Sequence, residues 1–203
     1  MNRQAFTLFE LLAVLTIIGI GLVVVVGSYG SWGTAHALTG TTRVVEAGLQ
    51  QARTIAMTQS KYVGFLYESS ATNHFQIYLC TNENAEVAAT LGQQYSGQTM
   101  TESKIAALLQ KLGQTPAAPD QRLTGHIRLA YLTEPTSTTT EETGILFFCP
   151  DGRVFGNPAE TSAHYIGVYT RSLFNQQPLC RLIRVDLATG LVAVIQPEPK
   201  ETP

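Results

Sequence analysis

Residues 6–26 read FTLFELLAVLTIIGIGLVVVV, and the interpretation of the chain turns on this stretch. As a helix rising 1.5 Å per residue it is about 31 Å long, the thickness of a bilayer's hydrocarbon core. The apolar part of a secretory signal is shorter, about 7–15 residues. Glu10 is the only charge in the stretch, and Thr7 and Thr16 are its other polar side chains. Arg3 and the starting amine precede it, so the positive-inside tendency leaves Met1 cytoplasmic and sends everything after about Gly27 to the far side.

Glu10 needs an explanation, because a carboxylate in lipid costs a few kcal/mol. One reading is tolerance, with Glu10 snorkelling or protonated near the cytoplasmic end. The sharper reading supplies a cation. A cut between Ala5 and Phe6 frees an ammonium group on Phe6, about 6 Å of helix rise from Glu10. That amine, on the same chain or a neighbour, neutralises Glu10 as subunits pack.

AFTLFELLAVLTIIGIG resembles the signal of type IV prepilins: a short basic leader, a small residue, Phe-Thr-Leu-x-Glu-Leu, then an apolar helix. The resemblance implies cleavage by a membrane aspartyl prepilin peptidase between Ala5 and Phe6, N-methylation of Phe6, and use of Glu10 in assembly. The family normally has Gly before the cut, where this chain has Ala5. A competing reading uses Ala35-His36-Ala37, an A-x-A triplet at which signal peptidase releases a soluble domain from Leu38. Against it, the triplet lies about nine residues past the apolar run, and Glu10 interrupts the signal core.

From Tyr29 to Lys61 there is no proline. Ala35, Leu38, Thr42, Val45, Leu49, Ala52 and Ala56 alternate spacings of three and four, one helical face. Its second half is expected to pack on its own domain. Gly27, Gly30 and Gly33 each cost a helix roughly 1 kcal/mol relative to alanine, which predicts a bend or local unwinding there.

Beyond Lys61 the period changes to two. Tyr62–Glu68 and Phe75–Cys80 predict a hairpin across SSATN. Further strands are expected at His126–Leu132, Ile145–Phe148, Val154-Phe155, Tyr165–Thr170, and in a closing hairpin of Arg181–Asp186 and Leu191–Ile195. Short strands at this spacing suggest a sandwich or two packed sheets. Residues 81–125 break the rhythm. Glu102–Leu112 predicts a short helix with Ile105, Leu108, Leu109 and Leu112 on one face, and the rest of this insertion reads as surface loop; Gly113–Pro119 within it and Thr133–Thr143 beyond it are linker-like.

ILFFCPDGRVFG and RLIRVDLATGLVAV are similar to two late segments of H-type minor pseudopilins of type II secretion and of the related FimT-like minor pilins. Taken alone, their Asp-Gly and Thr-Gly elements are ordinary turn chemistry.

With 13 Lys+Arg against 15 Asp+Glu the formal charge is −2, which argues against a nucleic-acid binder. His36, His74, His126 and His164 lack metal-ligand spacing, and no phosphate loop appears. Asp151 reads as a turn residue, because the alternating acids of a calcium loop are missing. Of the three cysteines, Cys149 and Cys180 border late strands and are the favoured disulfide pair; three buried, reduced thiols are the alternative.

The expected fold is α+β: a long N-terminal helix, transmembrane in its first half, packed on a β-sandwich-like domain of antiparallel strands. The expected divisions are a leader at 1–5, a membrane helix at 6–28, a helical stalk at 29–61, a β-rich periplasmic domain at 62–196 with the 81–125 insertion, and a tail at 197–203. The expected role is a structural minor pseudopilin in the bacterial inner membrane, without catalysis or cofactor. Its partners are the prepilin peptidase, other major and minor pseudopilins, the inner-membrane assembly platform and the lipid bilayer. The first alternative is a minor pilin of a type IV pilus that captures DNA through Arg171, Arg181 and Arg184. The second is a periplasmic enzyme released at Ala37, for which no catalytic set is present.

Overall fold

The computed structural model describes residues 8–68, 73–94, 102–123, 127–132, 143–156, 163–170 and 181–195. The chain divides into two compact units, Met1–Ala37 and Leu38–Pro203. Helix α1 (Leu8–Gln59) contributes to both. It is helical through Gly27, Gly30 and Gly33, so the expected unwinding does not occur. A glycine weakens a helix without removing any of its backbone hydrogen bonds.

In the second unit α1 uses the face read from the sequence. Leu38, Thr42, Val45, Leu49, Ala52 and Ala56 are all buried, whereas Ala35, in the first unit, is exposed. The buried Thr42 hydroxyl donates to the Leu38 carbonyl at 2.7 Å, so no polar group is stranded. The helix closes with Ser60 at φ 52° and a bond from Lys61 N–H to Ala56 O at 3.2 Å, a left-handed cap on a residue that is not glycine.

Strands β1 (Val63–Glu68) and β2 (His74–Cys80) form the expected hairpin. Helices α2 (Asn84–Gln94) and α3 (Glu102–Leu112) follow, then the short strands β3 (Gln114–Pro116) and β4 (Gln121–Arg122), which both pair with β2. The remaining strands are β5 (Ile127–Leu132), β6 (Thr143–Phe148), β7 (Val154–Gly156), β8 (Ala163–Thr170), β9 (Arg181–Asp186) and β10 (Val192–Ile195). One antiparallel sheet runs β3-β2-β1-β6-β7, with β4 beside β2; the other runs β10-β9-β8-β5.

The first sheet is covered on both faces. Phe65 and Phe75 point one way and stack with ring centroids 4.9 Å apart under α1. On the same face the Tyr67 hydroxyl lies 3.4 Å from His164 Nε2 of β8, in the second sheet. The opposite face carries Cys80, Ile145 and Phe147 against Val87, Leu91, Ile105, Leu108, Leu109 and Leu112 of α2 and α3. This corrects the reading of 81–125 as surface loop. The α3 face was foreseen; what was missed is that both helices form a layer of the core, and that Gln114–Pro116, within the supposed linker, is a strand. Burial on two sides is why β6 is a continuous apolar run.

Gly48 marks where α1 seats most closely. A Cβ there would come within 2.6 Å of the Phe75 ring and 3.2 Å of Phe65. Gly48→Ala gains about 1 kcal/mol of helix propensity and loses about 1–3 kcal/mol to overpacking, so the thermal midpoint should fall. At Gly40 a Cβ meets nothing within 4 Å, so Gly40→Ala should raise it. Thermal denaturation of the two variants checks this seating: a rise for both would show that α1 is not pressed onto the phenylalanines.

Candidate functional site

The Met1–Ala37 unit presents an unusual surface. Ten large apolar side chains between Leu8 and Leu22 are exposed, from Val14 at 48% to Phe9 at 83%. At about 100° per residue they cover the whole circumference of the helix, not one stripe. The hydroxyl of Thr16, among them, is satisfied within the helix by the Leu12 carbonyl at 2.6 Å. Apolar exposure on this scale requires lipid or other helices around it. Among the described residues no helix is long and apolar enough to cross a membrane; the side chains of Glu10, Gly21 and residues 23–32 lie outside them.

The second feature lies in the other unit, where two turns from different sheets meet. Cys149–Gly152 is closed by Gly152 N–H to Cys149 O at 3.0 Å, with Gly152 at φ +88°. Asp151 accepts from the Arg153 backbone at 3.1 Å and from its guanidinium at 2.7 Å. Asp151 is therefore a turn residue, as expected. The β9–β10 turn is held by Asp186, whose Oδ1 accepts from Ala188 N–H at 3.1 Å and from Thr189 N–H and hydroxyl, each at 2.9 Å. Val154 N–H donates to Leu187 O at 2.8 Å, tying the two turns together. Gly190, at φ +66°, sits against the Gly152 carbonyl with the Arg53 side chain of α1 alongside.

These turns set the acidic groups. The Thr189 hydroxyl and then its N–H hold the Asp186 carboxyl below its ordinary value. At Asp151 burial pushes upward, but the Arg153 hydrogen bonds and charge outweigh it and the net direction is down. A depressed carboxylate stabilises the fold fully above its unfolded pKa, about 3.9, and loses that contribution as pH falls through the folded value. Asp186→Asn should therefore lower the thermal midpoint at pH 7, with the gap from wild type closing below about pH 4. A gap that persists at pH 2 would assign the turn's stability to something other than the charge.

Cys80 and Cys149 are free and buried, and burial pushes both thiols up to about 12. Cys80 ends β2 and Cys149 follows β6, the strands either side of β1, so they are roughly two strand spacings, about 10 Å, apart and too far to bridge each other. The favoured Cys149–Cys180 pairing falls outside the described residues, because Cys180 does.

Residues 1–26 match the family described as the prokaryotic N-terminal methylation motif. The N-terminal segment is prepilin-like. The crystal structure of the type IV minor pilin FimU of Pseudomonas aeruginosa strain PAO1 is similar, with 11% identity, a TM-score of 0.45, and coverage of 80% of this chain and 90% of that one. No curated protein matches the chain.

The prepilin-like motif runs into the apolar helix of the first unit. Ala5 and Phe6 lie outside the described residues, and Glu10 falls within α1 with its side chain outside them. Of the suggested basic patch, Arg171 is outside the described residues. Arg181 and Arg184 are three residues apart on β9 and so point to opposite faces, and Arg184 lies 3.8 Å from Asp186. His164 is a buried strand residue against Tyr67, His36 is exposed, and His126 lies outside the described residues. Among the described residues no group of acids, histidines and cysteines is placed to hold a metal. Sequence reading did not single out Arg53, whose only signal was a cation within the packed half of the stalk.

Proposed function

We propose that this chain is a structural subunit, processed between Ala5 and Phe6, that assembles through its N-terminal helix into the pseudopilus of a type II secretion system. The observation that carries the reading is the helix of Leu8–Leu22, apolar and exposed on every side, inside the matched methylation motif. In this reading the run 6–26 spans the inner membrane, which stores the monomer, and the Leu38–Pro203 unit lies in the periplasm. The prepilin peptidase removes 1–5 and methylates Phe6; the helix then leaves lipid for a bundle of other pseudopilins on the assembly platform. The chain performs no chemistry of its own, and the force comes from a separate motor.

The intact mass of the protein from membranes should show loss of residues 1–5 and gain of one methyl group. A bulky side chain at Ala5 should block the cut, whereas Ala5→Gly should preserve it. A mature protein beginning at Leu38 would sink this reading in favour of a released domain.

A further inference from the structure

Arg53 is half-buried in the Leu38–Pro203 unit, and its Nε is fully buried with no hydrogen-bond partner among the described residues. Its stem crosses Gly190: a Cβ there would lie 3.2 Å from Nε and 3.3 Å from Cδ. The acids of the two turns are committed elsewhere, Asp151 to Arg153 at 2.7 Å and Asp186 to its own turn and Arg184. Arg53 therefore has no ion-pair partner among the described residues. A buried donor left unmade costs stability, so this arginine weakens the fold that holds it.

Two exposed apolar side chains flank it. Met57, one helical turn along α1, is 47% exposed, and Leu191, next to Gly190, is 57% exposed. The Met57 sulfur lies 4.0 Å from where a Gly152 Cβ would be, so both belong to the same junction of turns. An uncompensated guanidinium between aliphatic side chains has the make-up of an interface centre, where arginine and methionine are enriched and other charges are depleted.

We propose that the patch of Arg53, Met57 and Leu191 is a docking surface for a protein segment that presents a carboxylate beside an aliphatic side chain. The carboxylate pairs with the outer edge of the Arg53 guanidinium, and the aliphatic group covers Met57 and Leu191. Charge complementarity selects this occupant, since the only charge the patch leaves unanswered is positive. The inference goes beyond the subunit role proposed above and does not depend on cleavage at Phe6.

The test uses the full chain in its own cells, with Leu191 replaced by the photo-crosslinker benzoylphenylalanine and the crosslinked peptide sequenced by mass spectrometry. The expected product is a protein peptide with Asp or Glu within a few residues of the crosslink. Arg53→Met should cut its yield by about tenfold, and Arg53→Lys should retain most of it. The thermal midpoint of Arg53→Met should match or exceed wild type, because the variant keeps the aliphatic stem and removes the orphaned donor. A lowered midpoint would make Arg53 a structural residue and overturn the proposal. So would a yield indifferent to Arg53→Met, a crosslinked peptide without a carboxylate, a product with lipid or nucleic acid, or no product at all.

Discussion

Gly190→Val should lower the thermal midpoint by about 10 °C, more than any other single change in the two late turns. Two costs add at this position. The backbone is held at φ +66°, where a β-branched residue costs about 1–3 kcal/mol. A Cβ would also fall on the Gly152 carbonyl oxygen, which belongs to backbone and cannot rotate away. Relieving that clash moves one turn off the other and strains the Val154–Leu187 hydrogen bond, at about 1–3 kcal/mol more. Gly152→Val isolates the first cost. Gly152 has φ +88°, but its nearest neighbours, Thr189 O at 3.7 Å and Met57 Sδ at 4.0 Å, are at ordinary contact distance. It should lose about half as much. Equal losses at the two glycines would mean that the turns do not press on each other, and that backbone conformation alone requires glycine.

Each of these turns was legible in the sequence, but their meeting was not. Pro150-Asp151-Gly152 and Thr189-Gly190 announce themselves by turn chemistry, which is local. That the two tips share a hydrogen bond depends on how two sheets are placed, and no spacing in the chain encodes it. The strands were readable for the same local reason: alternation in Phe75–Cys80 and a continuous apolar run in Ile145–Phe148 each have one physical cause. Helix α3 carries four apolar positions on one face and was recovered, whereas α2 brings two among the described residues, Val87 and Leu91, too few to show a period. Strands β3 and β4 are exposed and polar, and they exist because β2 offers backbone groups to pair with. Within the candidate site, the apolar helix was evident from composition. Arg53 was not, because an unpaired cation looks like any other charge until its neighbours are known.

Glu10→Ala should leave membrane insertion and cleavage before Phe6 intact and abolish incorporation into the assembled fibre. The two effects separate because the carboxylate acts at different stages with opposite sign. In the proposed membrane-held monomer Glu10 would be a charge in or near lipid, so its removal would cost nothing and relieve a penalty of a few kcal/mol. In the proposed assembly the same carboxylate would answer the free amine of Phe6 on a neighbouring helix. Without it that ammonium is buried unpaired, at about 1–3 kcal/mol or more per subunit. Even the lower figure matters, since about 1.4 kcal/mol is a factor of ten at each addition. Glu10→Gln keeps an acceptor without the charge and should fall between the two. Crosslinking to partner pseudopilins, with cleavage followed in the same cells, reads both stages at once. Normal incorporation of Glu10→Ala would reduce the glutamate to a tolerated charge, and the driving force for leaving the bilayer would then have to come from the apolar faces of Leu8–Leu22 alone. Those faces gain little by exchanging lipid for another helix, since both are equally apolar. That is the physical reason to expect the charge, and not the apolar surface, to decide when the helix is drawn out.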